Sequence, residues 1–308
     1  QIGGTVVRHK FYVNQMSSNW HRPESETRIL EQKGDQAVIF ELQGSLFFGT
    51  TQQLYGLIEA EIKTRKFIIL DMKRVMSVDV TAAHLLNQLR DSLAEIGAML
   101  LLSNVRENLP NGRNLRAFLD QTGVTEKHDT VRLFPELDSA IEWVEDRILG
   151  EVERAVPEPE TAMLLSEMEL FKGRKDETLI DLEARLTSRI CAAGETVYSR
   201  GEPGDALYMI RRGSVKIFAP IGAGRIRHIA TFGRADFFGG LAFLDGRPRG
   251  NDAVAAVETE FFVLSLEQFN AISDEHKRLA FTLLSAISRT LALRLRHADT
   301  EIAMLHEY

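Results

Sequence analysis

Asp236-Phe237-Phe238-Gly239-Gly240-Leu241-Ala242-Phe243-Leu244-Asp245-Gly246-Arg247-Pro248-Arg249-Gly250-Asn251-Asp252-Ala253-Val254-Ala255 reads as two turns around a short helical run, closed by an alternating strand. The adjacent glycines Gly239 and Gly240 let backbone N–H groups converge where the run Leu241 to Leu244 begins. A helix start adds a positive dipole end, so the turn is suited to an anion such as phosphate. Arg249 stands just beyond with a planar fork of donors.

Working outward, Ala193-Gly194-Glu195-Thr196-Val197-Tyr198, Gly201-Glu202-Pro203-Gly204-Asp205, Leu207-Tyr208-Met209-Ile210 and Gly213-Ser214-Val215-Lys216-Ile217 follow in quick order. Short strands at close, even spacing predict a β-roll. These strands and the glycine turn resemble the cyclic nucleotide-binding domains of catabolite-activator proteins, kinase regulatory subunits and gated channels, over about 161–300. That family's cassette runs Phe-Gly-Glu-x-Ala-x-Leu, a spacer, then Arg-Ser/Thr-Ala. Phe238-Gly239, Ala242, Leu244 and Arg249 match it, whereas the glutamate that holds the ribose hydroxyl falls on Gly240 and the small hydroxyl residue on Gly250. The resemblance implies a phosphate site of Gly239, Gly240, Leu241, Ala242, Arg249 and Gly250, with cyclic AMP or cyclic GMP as ligand. The alternative is an inherited turn in a roll that no longer binds nucleotide. Asp245, Arg247 and Asp252 are candidates for a substitute contact.

Upstream, Ala37-Val38-Ile39-Phe40-Glu41-Leu42, Phe67-Ile68-Ile69-Leu70 and Met99-Leu100-Leu101-Leu102 are apolar runs suited to buried strands. Amphipathic stretches separate and follow them: Leu54, Leu57, Ile58 and Ile62; Leu85, Leu86, Leu89 and Leu93; Asn114 to Gln121; Asp138 to Leu149. Alternating strands and helices predict an α/β layer on a mostly parallel sheet. Leu70-Asp71-Met72, Val75 and Val78-Asp79-Val80-Thr81-Ala82 resemble a STAS domain. The segments Ser18-Asn19-Trp20-His21-Arg22-Pro23 and Gly44-Ser45-Leu46-Phe47-Phe48-Gly49 are similar to the cytosolic tail of SulP-type anion transporters. The expected fold class is an α/β STAS domain, with a mixed sheet and helices, followed by an α+β cyclic nucleotide-binding β-roll with flanking helices. The expected organisation is a lead-in linker over 1–34, the STAS domain over 35–150, a Pro/Glu linker over 151–160 and the roll with its C-terminal helix over 161–308. Thr161 to Leu170 is expected to be a helix. In the last helix, Leu284, Ile287, Leu291 and Leu295 have the spacing of a contact with a partner helix.

Composition bounds the function. A 308-residue chain has room for two domains, and 44% hydrophobic with 26% charged residues describes a globular protein. A net charge of −7 argues against a general nucleic-acid surface. No run of eighteen apolar residues is present. Cys191, the single cysteine, excludes an internal disulfide and a thiolate metal cluster, which fits a reducing cytosol. Gln1 at the start suggests a piece of a longer product, and the stop at Tyr308 leaves no room for a helix-turn-helix.

Thr81 falls where some STAS proteins are phosphorylated on serine, and the plainer reading makes it the cap of the helix through Leu85. The eight histidines show no metal spacing. No Gly-x-Ser-x-Gly, Walker or Rossmann pattern occurs. These features predict a non-enzymatic chain with no metal and no nucleic acid. The resemblance implies the regulatory tail of a SulP-type sulfate or bicarbonate transporter, on the cytoplasmic face of a membrane, joined to a transport domain of the same polypeptide and forming a homodimer. The alternatives are a soluble STAS partner switch and the regulatory tail of an enzyme such as a glutaminase.

Overall fold

The computed structural model describes residues 5–125, 129–152, 161–171 and 177–306. The chain divides into two compact units: residues 1–18, 25–154 and 304–308 form the first, residues 19–24 and 155–303 the second.

The first unit is a five-stranded sheet in the order β1 (Val7–Tyr12), β2 (Ala37–Leu46), β3 (Phe67–Val78), β4 (Met99–Ser103) and β5 (Val131–Phe134). β1 is antiparallel to β2, and the other pairings are parallel. The central strands read as unbroken apolar runs because both faces of the sheet are covered. Side chains alternate across a strand. Val38, Phe40, Ile68, Leu70, Leu100 and Leu102 accordingly join one core. That core also takes Leu54 and Ile58 of α2 (Phe48–Ile62) and Leu86, Leu89 and Leu93 of α3 (Val80–Glu95). Ile39, Ile69 and Leu101 point the other way, onto Leu30 of α1 (Glu24–Lys33) and Ala140, Ile141, Val144 and Ile148 of α5 (Leu137–Val152). A short helix, α4 (Leu115–Gln121), is capped by the Asn114 side chain, which accepts from the Ala117 N–H at 2.9 Å.

The expected lead-in over 1–34 carries β1, an edge strand of the first unit's sheet, and α1, whose Leu30 joins that unit's core. Thr161 to Leu170 is not a helix but two 3-10 turns, Leu165–Glu167 and Glu169–Phe171. Leu165, Met168 and Phe171 are buried at a spacing of three, the repeat of a 3-10 turn. The expected 151–160 linker lies, from 153 onward, outside the described residues.

In the second unit, α6 (Glu177–Arg185) leads into β6 (Thr187–Cys191), β7 (Thr196–Tyr198), β8 (Ala206–Arg212), β9 (Val215–Pro220), β10 (Ile226–Phe232), β11 (Phe237–Phe238), the short α7 (Gly240–Asp245), β12 (Asp252–Ala255) and β13 (Thr259–Ser265). The strands form two four-stranded sheets, β10-β9-β12-β7 and β11-β8-β13-β6. Alternation along β8 divides the core. Tyr208 and Ile210 face the roll interior with Tyr198, Phe232, Phe238 and Phe261. Leu207 and Met209 face the helices with Phe237, Phe262 and Leu264. Those helices are α6, α8 (Leu266–Glu275) and α9 (Lys277–His306). In α9, Leu279, Leu283 and Ile287 are buried on the roll. Ile287 therefore belongs to the inner face and not to the expected partner face, whereas Leu295 is 63% exposed.

Candidate functional site

Around the glycine turn, β11 delivers the chain to Gly239, whose φ of 81° lies in the left-handed region that favours glycine. Gly240 opens α7, and its conformation is ordinary. A Cβ placed there would stand 3.2 Å from the Phe237 ring and 3.6 Å from Ile287 and Leu207. Leu241 is exposed, Ala242 is buried, and Gly250 is exposed with open space at its Cα.

Arg249 is buried, 4% exposed. One terminal nitrogen donates to the Gly239 carbonyl at 2.8 Å, and the other donates to the Ala206 carbonyl at 2.6 Å. The guanidinium lies over the Tyr198 ring at 4.3 Å, with the Tyr208 ring at 5.7 Å. Its Nε has no hydrogen-bond partner among the described residues. Backbone bonds hold the segment as well: the Arg249 N–H donates to Glu202 O and the Gly201 N–H to Arg249 O, both at 2.8 Å. Burial pushes the Tyr198 phenol up to about 12, against the opposing pull of Arg249. Tyr208 and Phe238 stack at 5.1 Å, and Phe232 and Phe238 at 6.4 Å. Thus the structure gathers Gly239, Ala242 and Arg249 at one place, with two of the five arginine donors engaged by carbonyls.

The two carbonyls take one N–H from each terminal nitrogen of Arg249, which leaves three of its five donors, Nε–H among them, while Gly240 offers no side-chain acceptor at the position of the family acid. The two carboxylate candidates for a substitute contact each accept a backbone N–H. The Asp245 carboxylate accepts from the Arg247 N–H at 2.9 Å, and that of Asp252 accepts from the Arg200 N–H at 2.7 Å.

In the first unit the cap of α3 is Asp79, whose carboxylate accepts from the Ala82 N–H at 2.7 Å. That corrects the assignment of the cap to Thr81, which sits at the second helical position, exposed. The register sets Leu46 beside Val78, so exposed Phe47 and Phe48 fall near exposed Met76 and Val80 at the same end of the sheet. Within β3, Asp71 is buried and its carboxylate accepts from the Ser103 hydroxyl at 2.8 Å and the Asn104 amide at 2.7 Å. Burial raises the Asp71 pKa despite these donors.

Sequence reasoning missed one cluster. His21 Nδ1 hydrogen-bonds the Asp236 carboxylate, whose other oxygen accepts from Arg294 of α9 at 2.8 Å. Nothing in local pattern announces it beyond a tryptophan and a histidine in an expected linker. Among the described residues no group of three His, Cys, Asp or Glu side chains is placed to hold a metal, and no helix is long and apolar enough to cross a membrane.

Comparison with known proteins agrees with the two architectures. Residues 28–140 match the STAS domain family, and residues 188–276 match the cyclic nucleotide-binding domain family. The chain is therefore built as a STAS domain followed by a cyclic nucleotide-binding β-roll with flanking helices, a regulatory arrangement. Glutaminase 1 of Bradyrhizobium diazoefficiens is 28% identical over 92% of the chain and 44% of its own length. Glutaminase 2 of the same organism is 26% identical over 99% of the chain and 47% of its own length. The cyclic AMP receptor protein of Thermus thermophilus is 30% identical over 44% of the chain and 61% of its own length. The chain spans about half the length of the two glutaminases it matches. These two alignments overturn the expectation of a non-enzymatic chain, because these two relatives, matched along nearly the whole chain, are named glutaminases.

Proposed function

We infer that the chain is the regulatory portion of a longer glutaminase-type enzyme, with the STAS domain and the roll acting on a catalytic portion that hydrolyses the amide of glutamine. The observation that carries this reading is the alignment of both domains together, along 92% and 99% of the chain, with two glutaminases. In this reading the roll is a scaffold rather than a sensor of cyclic AMP or cyclic GMP. The two Arg249 donors engaged by carbonyls and the packed Gly240 support that view. The exposed far part of α9, with Leu295 and Ile302, is the contact for a second copy.

The test is ammonia release from glutamine by the product of the complete gene, with and without the residues of this chain. Activity in the complete product, altered in rate or cooperativity by the deletion, is the expected result. A complete product without glutaminase activity overturns the reading. A second reading, the tail of a SulP-type anion transporter at a membrane, draws on the Phe47-Phe48-Gly49 segment, whose two rings are 49% and 56% exposed. Apolar membrane spans in the complete product, in place of a catalytic fold, would favour it.

A further inference from the structure

The segment Asn19–Arg22 lies in the chain between β1 and α1, yet it belongs to the second unit. It docks on β10, the edge strand of its sheet. Thr231 donates its N–H to Asn19 O, and His21 donates its N–H to Thr231 O, each at 2.7 Å. These bonds make an isolated parallel bridge between Trp20 and Thr231, a one-residue pairing with the sheet edge. Asn19 Nδ2 also donates to His228 O at 3.3 Å.

Two side chains give the docking its specificity. The Trp20 ring lies over Gly233, where a Cβ would come within 2.8 Å of it. Only the absence of a side chain at 233 leaves room for the indole. His21 stands beside the Phe232 ring at 5.6 Å and bonds Asp236. Asp236 is the junction. One of its oxygens takes His21, and the other takes Arg294 of α9. Arg294 also donates to the Phe237 carbonyl at 2.9 Å and lies over Phe232 and Phe237 at 4.3 and 4.7 Å. Its guanidinium is buried enough for burial to lower its pKa, with Asp236 pulling the other way. A buried cation of this kind depends on the orientation of its carboxylate.

We propose that the β10 edge with Gly233 and Asp236 is a peptide-docking site whose occupant is the Asn19–Arg22 segment of this chain, and that the site reports occupancy to α9 through His21, Asp236 and Arg294. Departure of the segment removes one of the groups that orient the Asp236 carboxylate and loosens the hold on Arg294. The seat of α9 beside the glycine turn, where Ile287 faces Gly240, then slackens. This roll accordingly reads a peptide at its rim, independently of any nucleotide at its turn.

The test is amide hydrogen exchange on the whole chain, comparing it with Gly233→Ala and His21→Ala. The Cβ in Gly233→Ala evicts the indole without altering the segment or α9. Thr231 and His21 amides are expected to lose protection by about tenfold or more, and the amides of 290–298 in α9 several-fold. In His21→Ala, Trp20 still docks, so the Thr231 amide stays slow while 290–298 quickens. A synthetic peptide covering 17–23, added to a Trp20→Ala chain, restores protection at Thr231. Unchanged exchange along the β12–β9 pairing shows that each variant keeps its fold. Thr231 remaining protected in Gly233→Ala overturns the docking site. Deprotection of Thr231 in Gly233→Ala with α9 unchanged in both variants overturns the report to the helix.

Discussion

Arg249→Ala separates a structural arginine from a ligand-binding one. In the folded roll the guanidinium makes two bonds to backbone carbonyls, at 2.8 and 2.6 Å, and covers the Tyr198 ring. A hydrogen bond from a charged donor is worth about 1.5–3 kcal/mol, so the pair amounts to roughly 3–6 kcal/mol. Desolvation of a buried cation, relieved by truncation, offsets part of that sum. The Gly239 carbonyl also keeps the Phe243 N–H at 3.3 Å. The expected net loss is therefore about 2–4 kcal/mol of roll stability. Amide exchange along the β12–β9 pairing at increasing urea measures it, since that pairing lies within the roll. Arg249→Lys is expected to recover less than half, because an ammonium is a point donor and does not present a planar fork. A loss below about 1 kcal/mol for Arg249→Ala, within the range of an ordinary surface change, refutes the structural role. Cyclic-nucleotide heats in the parent chain that vanish in the variant would then make Arg249 a phosphate ligand.

Three further outcomes follow from the same geometry. Gly240→Glu, which restores the family acid, is expected to destabilise the roll by about 1–3 kcal/mol through overpacking against Phe237, Leu207 and Ile287, with no cyclic AMP binding gained in calorimetric titration. Asp79→Ala removes the cap of α3 and is expected to cost about 1 kcal/mol in the first unit, whereas Thr81→Val stays within about 0.5 kcal/mol by thermal or urea unfolding. Asp71 has a folded pKa above its unfolded one, so between those two values the native state binds more protons and stability falls as pH rises. Asp71→Asn, which still accepts from Ser103 and Asn104, is expected to flatten that dependence and to match or exceed the parent at pH about 7, measured by unfolding of the first unit across pH about 3 to 7.

The division into an α/β unit and a β-roll was legible because it rests on local periodicity. Unbroken runs such as Phe67 to Leu70 belong to strands covered on both faces, and the alternation of Leu207-Tyr208-Met209-Ile210 belongs to a strand between two cores. The Gly239 turn was legible for the same reason, since a left-handed φ is a one-residue preference. Thr161 to Leu170 misled because apolar residues three and four apart suit both a helix and a chain of 3-10 turns. The cap of α3 passed from Thr81 to Asp79 by two positions, a difference set by where the backbone turns and not by composition.

What the sequence by itself determined is the pair of folds, the glycine turn and the residues gathered around it. The tertiary structure alone decided which partners the polar side chains took. Arg249 found the carbonyls of Ala206 and Gly239, 43 and 10 residues away. His21 found Asp236, 215 residues away, and Asp236 found Arg294. Secondary structure follows from torsional preference and from which face is apolar, both of which are written in short windows. A donor's choice among carbonyl, carboxylate and ligand depends on which of them the folded chain brings within about 3 Å, and that is a property of packing.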